Sequence, residues 1–282
     1  MRGSGPATLL FFWDYDTQWG ADRSRNPASS RSWGALDFQN SERLLELHAE
    51  HEVPACFAVV GAAALPGERP YHDPAQIRRI HEAGHEIASH SHRHEWLPGL
   101  GMKGLKETLR CSKDALEQCI GAPVATFVPP YNQPFDHALA GSFSLSERRA
   151  AGPDRIDVTR LCAALHETGY RTCRVSYRSA YERLLERVTG RRLDRPQHAT
   201  SLCGVTCVRL NTPAGFGTEA ATLIERCVRS GGIAVVYGHP HSLHSGGSQD
   251  ERLLVQLLKR IRSLREQQLL QVRLPRHLSA QD

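Results

Sequence analysis

The sequence predicts an α/β fold built on a parallel sheet and closed as one barrel-like domain. Short apolar runs alternate with amphipathic helical patterns along most of the chain, the rhythm of strand–helix–strand units. Six or seven such units follow one another with no linker between them, which favours one barrel over two domains. The chain has 282 residues, enough to bury a sizeable core without disulfides.

Thr8–Trp13 reads as the first strand, and Ser41–Glu50 as an amphipathic helix that Ser41 is placed to cap. Ala55–Val60 is a second strand, ended by Gly61. Asp73 followed by Pro74 supplies a cap and a first-turn proline for a helix reaching about Ala83 and stopping at Gly84. Glu86–Ser89 is a short strand, Lys103–Ile120 a long helix, and Ala125–Val128 a strand running into Pro129–Pro130. Val158–Thr168 is a helix closed by Gly169, and Thr172–Val175 a strand. Thr218–Ser230 is a helix closed by Gly231–Gly232, Ile233–Tyr237 a buried strand, Asp250–Gln267 a helix and Leu269–Arg273 the last strand. Asn132–Asp157 and Ser176–Asn211 break the rhythm and read as rim insertions on a single domain spanning residues 1–282.

Composition narrows the function. The net charge of +5 contains no block of five or six like charges and no basic run interleaved with aromatics, so it reads as a solvated surface rather than a nucleic-acid interface. The longest apolar runs, Leu9–Trp13 and Ile233–Tyr237, fall far below the roughly 20 residues that cross a bilayer. Met1–Thr8 is too short and too rich in Gly and Pro for a secretory leader. The eight cysteines are scattered without a CxxC pair, which points to buried free thiols and a cytoplasmic setting.

Four segments sit where strands end, the place where α/β barrels gather catalytic groups. In Phe11-Phe12-Trp13-Asp14-Tyr15-Asp16 two carboxylates are one residue apart, so a strand points both to one side. Such a pair invites a cation or a proton between like charges, one carboxylate on a metal and the other beside it as a base. An ordinary loop-capping pair is the alternative. In Glu86-Ile87-Ala88-Ser89-His90-Ser91-His92-Arg93-His94 a helical turn would bring His90 and His94 to one face, within reach of one ion. A histidine-rich surface patch is the alternative, and His85 and His92 read as structural or loop residues. In Phe127-Val128-Pro129-Pro130-Tyr131-Asn132 two prolines stiffen the backbone and present Tyr131 and its amide either as an oxyanion donor or merely as a packed turn. In Val235-Val236-Tyr237-Gly238-His239-Pro240-His241 a histidine ends a buried strand, a position that suits a general acid or a structural imidazole.

Taken in order, these segments resemble the NodB-homology polysaccharide deacetylases, carbohydrate esterase family 4. The resemblance runs from about Leu9 to His241 and is most specific over Gly84–His94. It implies a distorted (β/α) barrel with seven to eight mostly parallel strands, and removal of an N-acetyl group from an amino sugar. On this chain it implies a divalent metal on Asp16, His90 and His94, Asp14 as base, His239 as acid, and the Tyr131 amide at the oxyanion. The two-imidazole, one-carboxylate set favours zinc, with cobalt, nickel or iron as other occupants.

There are three departures from the family pattern. Tyr15 separates the aspartates, Val128 stands where the third motif carries an arginine, and His241 competes with His239 for the acid role. Arg23 and Arg174 are the cations that would take the missing arginine's place. Two other functions remain open: hydrolysis of another C–N bond (a ureide or cyclic imide ring, or a formamide), and a non-catalytic, degenerate sugar-binding barrel.

Overall fold

The computed structural model describes residues 5–24, 32–134, 156–175, 188, 196–243 and 247–279. Its centre is a nine-stranded sheet: β1 (Ala7–Tyr15), β2 (Cys56–Val59), β3 (Glu86–Ser89), β4 (Thr126–Phe127), β5 (Thr172–Val175), β6 (Thr200–Leu202), β7 (Val205–Arg209), β8 (Ile233–Gly238) and β9 (Leu270–Val272). Eight of them run in the order β6-β7-β5-β4-β3-β2-β1-β8, with β9 beside the start of β1. Every pairing is parallel except β6 with β7. The sheet curls until its ends meet through one antiparallel bridge, Gln197 with Ile233, so the expected distorted barrel of mostly parallel strands is what the chain forms. Asn211 reinforces that seam: its side chain accepts from Val235 N–H at 3.0 Å and donates to the Ile233 carbonyl at 3.1 Å.

Among the described residues seven helices cover the sheet: α1 (Thr17–Arg23), α2 (Trp33–His51), α3 (Pro74–Glu82), α4 (Gly101–Ile120), α5 (Val158–Glu167), α6 (Thr218–Ser230) and α7 (Glu251–Glu266). Three caps behave as their residue types dictate: Asp73, Asp157 and Asp250 each accept a first-turn backbone N–H.

Strand alternation decides what faces the interior. Leu9, Phe11, Trp13 and Tyr15 enter the large core between sheet and helices, whereas Leu10 and Phe12 join Ala58, Ala88, Val128, Val208 and Val235 in a smaller core inside the curl. The inward parity of β1 continues to Asp14, that of β3 runs through Ala88 to His90, and that of β8 through Val235 and Tyr237 to His239. On β5, Cys173 and Val175 face outward, which turns Arg174 inward. Polar groups therefore collect at the C-terminal mouth because β1, β3 and β8 each carry one step past their last apolar inward residue, and β5 adds Arg174.

Several expectations need correction. The helix expected at Ser41–Glu50 begins two turns earlier, at Trp33, and Ser41 is a buried interior residue rather than its cap. Most of the two suspected rim insertions lies outside the described residues, but residues 200–209 form β6 and β7. β7 pairs with β5 over four positions, so it belongs to the sheet and not to the rim. Its apolar alternation, Val205, Cys207, Val208, is short and broken by threonine and arginine, which hid it. The cysteines are all free, but Cys111 and Cys203 are exposed and Cys119 is half-buried; only the other five are buried thiols.

Candidate active site

Asp14, Asp16, His90, His94, Tyr131 and His239 line one cavity of about 300 Å³, together with Ser24, Trp33 and Asn132. All six side chains singled out in the sequence are thus brought together. Among the described residues, Asp16, His90 and His94 are the one group of three metal-type ligands close enough to share an ion, their donor atoms lying within 4.8 Å of one another.

The two histidines do not lie on a helical turn, as their spacing suggested. The stretch is a loop in which Ser91 (φ 63°) and His94 (φ 57°) take left-handed backbone conformations, and it is held from outside. Ser91 O accepts from Gly61 N–H at 2.9 Å and from the Ser112 hydroxyl at 2.9 Å. His92 O accepts from Ala62 N–H at 2.8 Å, and the Thr108 hydroxyl accepts from His92 N–H at 3.1 Å. The turn after β2 and helix α4 therefore do the work that helical geometry would have done.

Asp16 Oδ1 lies 3.2 Å from His90 Nε2 and 3.4 Å from His94 Nε2. Asp16 and both imidazoles are buried, yet Asp16 Oδ1 makes no hydrogen bond of good geometry. His90 Nδ1 sits 2.8 Å from the Val128 carbonyl, a contact that requires Nδ1 to carry a proton, so that in the neutral imidazole the Nε2 lone pair faces Asp16. Electron-pair donors turned toward one another in a buried place are costly unless a cation stands among them. The chemistry of this donor set fits a divalent metal.

Charge at the cluster follows from its neighbours. Burial alone would raise the Asp16 pKa, but His94 and His90 outweigh it and hold the carboxyl well below its usual range. Burial likewise opposes ionisation of Asp14, and the Arg174 guanidinium overcomes it and lowers the pKa. His94 is pushed down by burial, whereas His90 is raised, the nearby Asp16 and Asp14 outweighing desolvation.

The guanidinium that Val128 lacks comes from Arg174. Its two terminal nitrogens donate to the two oxygens of Asp14 at 2.8 and 2.6 Å, a bidentate pair with the arginine side chain fully buried. Nη2 also donates to Asn132 Oδ1 at 3.1 Å, and the guanidinium stacks over Phe12 and Tyr237, 5.1 and 4.6 Å from the ring centroids. β4 and β5 run in register with Phe127 opposite Cys173, so the next pair in that register is Val128 and Arg174. Arg174 thus stands one strand over from Val128, about 4.8 Å to the side, and from there reaches Asp14. Arg23, the other candidate, meets the site through its backbone carbonyl, which accepts from the Tyr131 hydroxyl at 3.0 Å.

The two late histidines have different surroundings. His239 lines the cavity with its Nε2 3.9 Å from Asp14 Oδ2, and Gln249 holds it from behind through its backbone N–H and Nδ1. His241 is buried, its ring stacked on Trp33 at 4.1 Å and its Nδ1 3.2 Å from Asp37 Oδ1. Tyr131 lies in the turn after β4 at φ 57°, its ring 4.5 Å from that of His94. Reading the sequence alone missed Asp37, Trp33 and Asn132. Nothing in the local sequence marks them, since they reach the site only through the packing of α2 and the turn after β4.

A curled parallel α/β barrel with a buried carboxylate–imidazole cluster at the C-terminal ends of its strands is the class that fold and site define. Comparison with known proteins agrees with the resemblance read from the sequence. The polysaccharide deacetylase family model matches residues 34–142, a span that holds His90, His94 and Tyr131 but not Asp14, Asp16, Arg174 or His239. A chitooligosaccharide deacetylase of Sinorhizobium fredii (strain NBRC 101917 / NGR234) is 33% identical over 100 residues, which is 35% of this chain and 44% of that relative. The match thus spans less than half of the relative's length.

Among solved structures, a protein of Mycobacterium smegmatis provisionally described as a polysaccharide deacetylase superposes with a TM-score of 0.59 at 19% identity, over 96% of this chain and 87% of the other. A mutant of a CE4-family pseudoenzyme from Bacillus anthracis gives 0.50 at 16% identity, over 98% and 68%. At those identities the structures speak for the fold. In sequence the chain is similar to the polysaccharide deacetylases over residues 34–142. No described helix is long and apolar enough to cross a membrane.

Proposed function

We propose that the chain is a metal-dependent hydrolase that removes an N-acetyl group from an amino-sugar substrate. The observation that carries this reading is the placement, in one cavity, of a carboxylate–imidazole trio whose Asp16 Oδ1 lacks a hydrogen-bond partner, next to a second carboxylate tied to a guanidinium. Asp16, His90 and His94 would hold the divalent cation, zinc suiting the donor set best and cobalt, nickel or iron being other occupants. Such a cation supplies a Lewis acid that polarises an amide carbonyl and lowers the pKa of water.

The chain's own residues divide the remaining work. Asp14, kept ionised by Arg174, takes the proton from the attacking water. The Tyr131 amide donates to the carbonyl oxygen as it gains charge. His239, 3.9 Å from Asp14 and lining the cavity, gives a proton to the departing amine nitrogen. His241 is not offered that role, because its ring is stacked under Trp33 and its Nδ1 faces Asp37. The described lining of the cavity contains no lysine or arginine, which suits a neutral N-acetylated sugar better than a phosphorylated one. The motive for a non-catalytic reading was the missing arginine, and Arg174 on Asp14 supports the catalytic one.

The test is acetate release from a panel of N-acetylated sugars and chitooligosaccharides by zinc-loaded and metal-stripped protein. Release that needs zinc and stops with a chelator is the expected result. The panel includes allantoin and a cyclic imide; turnover of these in place of the sugars, or of nothing at all, would overturn the amide assigned here. Asp14→Asn should keep zinc bound by titration and lose at least about a hundredfold in kcat, in line with removal of a general base. Retained turnover would take Asp14 out of that role.

A further inference from the structure

Asp37 is a buried carboxylate for which the reading above has no use. It lies in the second turn of α2, is fully excluded from solvent, and faces two different loops at once. Its Oδ2 accepts from the Thr17 N–H at 2.7 Å. Its Oδ1 accepts from the His241 N–H at 2.7 Å and lies 3.2 Å from His241 Nδ1.

Both loops belong to the site. Thr17 directly follows Asp16 and stands in the left-handed region at φ 56°, where β-branched residues are genuine outliers. Something must hold it there, and the bend it makes turns the chain from β1 into α1 just past Asp16. His241 lies two residues beyond His239 in the turn Pro240–Ser242, and its ring carries Trp33, which lines the cavity. Three residues along α2 from Asp37, Asn40 donates to the Pro240 carbonyl at 2.8 Å, so the same helix holds that turn twice.

We propose that Asp37 is a positioning residue: its single carboxylate fastens the loop of Asp16 to the loop of His239 and so fixes the cation ligands relative to the acid. This rests on the reading given under Proposed function. A carboxylate is required rather than an amide because N–H groups face both of its oxygens. An asparagine has one accepting oxygen and would set its own NH₂ against the second N–H. Gly20 shows how little slack Asp16 has: a Cβ there would lie 2.6 Å from Asp16 Cβ and 3.5 Å from the His94 ring.

The test compares wild type, Asp37→Asn and the double variant Asp37→Asn with Thr17→Gly. Three quantities are measured: zinc affinity by competition with a chromophoric chelator, kcat and KM for acetate release, and the thermal melt of the metal-free protein. Asp37→Asn should melt cooperatively, bind zinc at least about tenfold more weakly, and lose more than tenfold in kcat with KM within about threefold. Glycine adopts the left-handed conformation without strain, so Thr17→Gly in that background should recover zinc affinity.

An Asp37→Asn protein that melts lower but binds zinc and turns over like wild type would reduce Asp37 to a structural residue and overturn the proposal. So would an affinity loss that Thr17→Gly leaves untouched. Should Asp37→Asn not fold, Asp37→Ser is measured the same way, and failure of both to fold overturns the proposal by making Asp37 a folding residue. The wild-type arm judges the parent reading separately. If wild type binds zinc but releases no acetate, the substrate assignment falls while the zinc comparison still judges Asp37.

Discussion

At the scale of single residues the decisive contact is Arg174 on Asp14. Both side chains are buried, and removing one member of a buried pair strands the other's charge, at a typical loss of about 3–5 kcal/mol. Arg174→Gln is therefore expected to lower the denaturation midpoint and to reduce kcat at least about tenfold. Adding Asp14→Asn to it should restore part of the stability but none of the activity, because asparagine needs no countercharge. Denaturant unfolding and acetate release measure the two halves. The site residues that were legible in the sequence, Asp14, Asp16, His90, His94, Tyr131 and His239, share one property: each lies at or just beyond the C-terminal end of a recognisable strand. Asp37 and Trp33 were not legible, because they come from the first two turns of a helix whose cap residue, Ser32, makes no side-chain capping bond and whose first turn holds Gly34.

At the scale of elements, the seam between β1 and α2 contains a pH sensor in the thermodynamic sense. His48 Nδ1 lies 2.7 Å from the Val53 carbonyl, and its Nε2 accepts from the Trp13 indole N–H at 2.8 Å. Since the indole only donates, the imidazole must be neutral. Burial pushes its pKa down to about 3, and that of the adjacent His85 to about 4. Both groups bind a proton in the unfolded chain near pH 6.5 but not in the folded one. Their contribution to stability is complete above pH 6.5 and is lost as pH falls from there toward about 4 for His85 and about 3 for His48. The slope is roughly 1.4 kcal/mol per pH unit for each imidazole. The melting temperature of metal-free protein should accordingly fall below pH 6.5, and His48→Gln should flatten that fall. A profile unchanged by the substitution would place the acid sensitivity elsewhere. Most of these elements were readable from apolar periodicity and glycine or proline punctuation. The exceptions were α1, which is seven residues long, and the β6–β7 hairpin, whose β6 is largely exposed and carries no apolar alternation.

For the whole molecule, strand–helix alternation predicted a barrel, and nothing in it revealed how the barrel is closed. Among the described residues closure depends on one backbone bridge and on the side chain of Asn211 between the sheet's two ends, a contact between residues more than twenty positions apart that no local pattern announces. Asn211→Ala leaves a buried N–H and a buried carbonyl without that partner, and each such loss costs about 1–3 kcal/mol. The variant is expected to unfold at lower denaturant while keeping its zinc affinity, since the seam lies away from the ligand trio. Loss of zinc binding in step with stability would show instead that seam and site are one unit.

The sideways arginine bears on how other chains should be read. Neighbouring parallel strands present their inward side chains as a row, and a cation anywhere along that row can serve the same anion. A motif written along one strand cannot see this exchange; a search that pairs each position with its lateral neighbour can. Chains set aside as defective for want of an arginine in the third motif can carry the equivalent cation one strand over, with their chemistry intact.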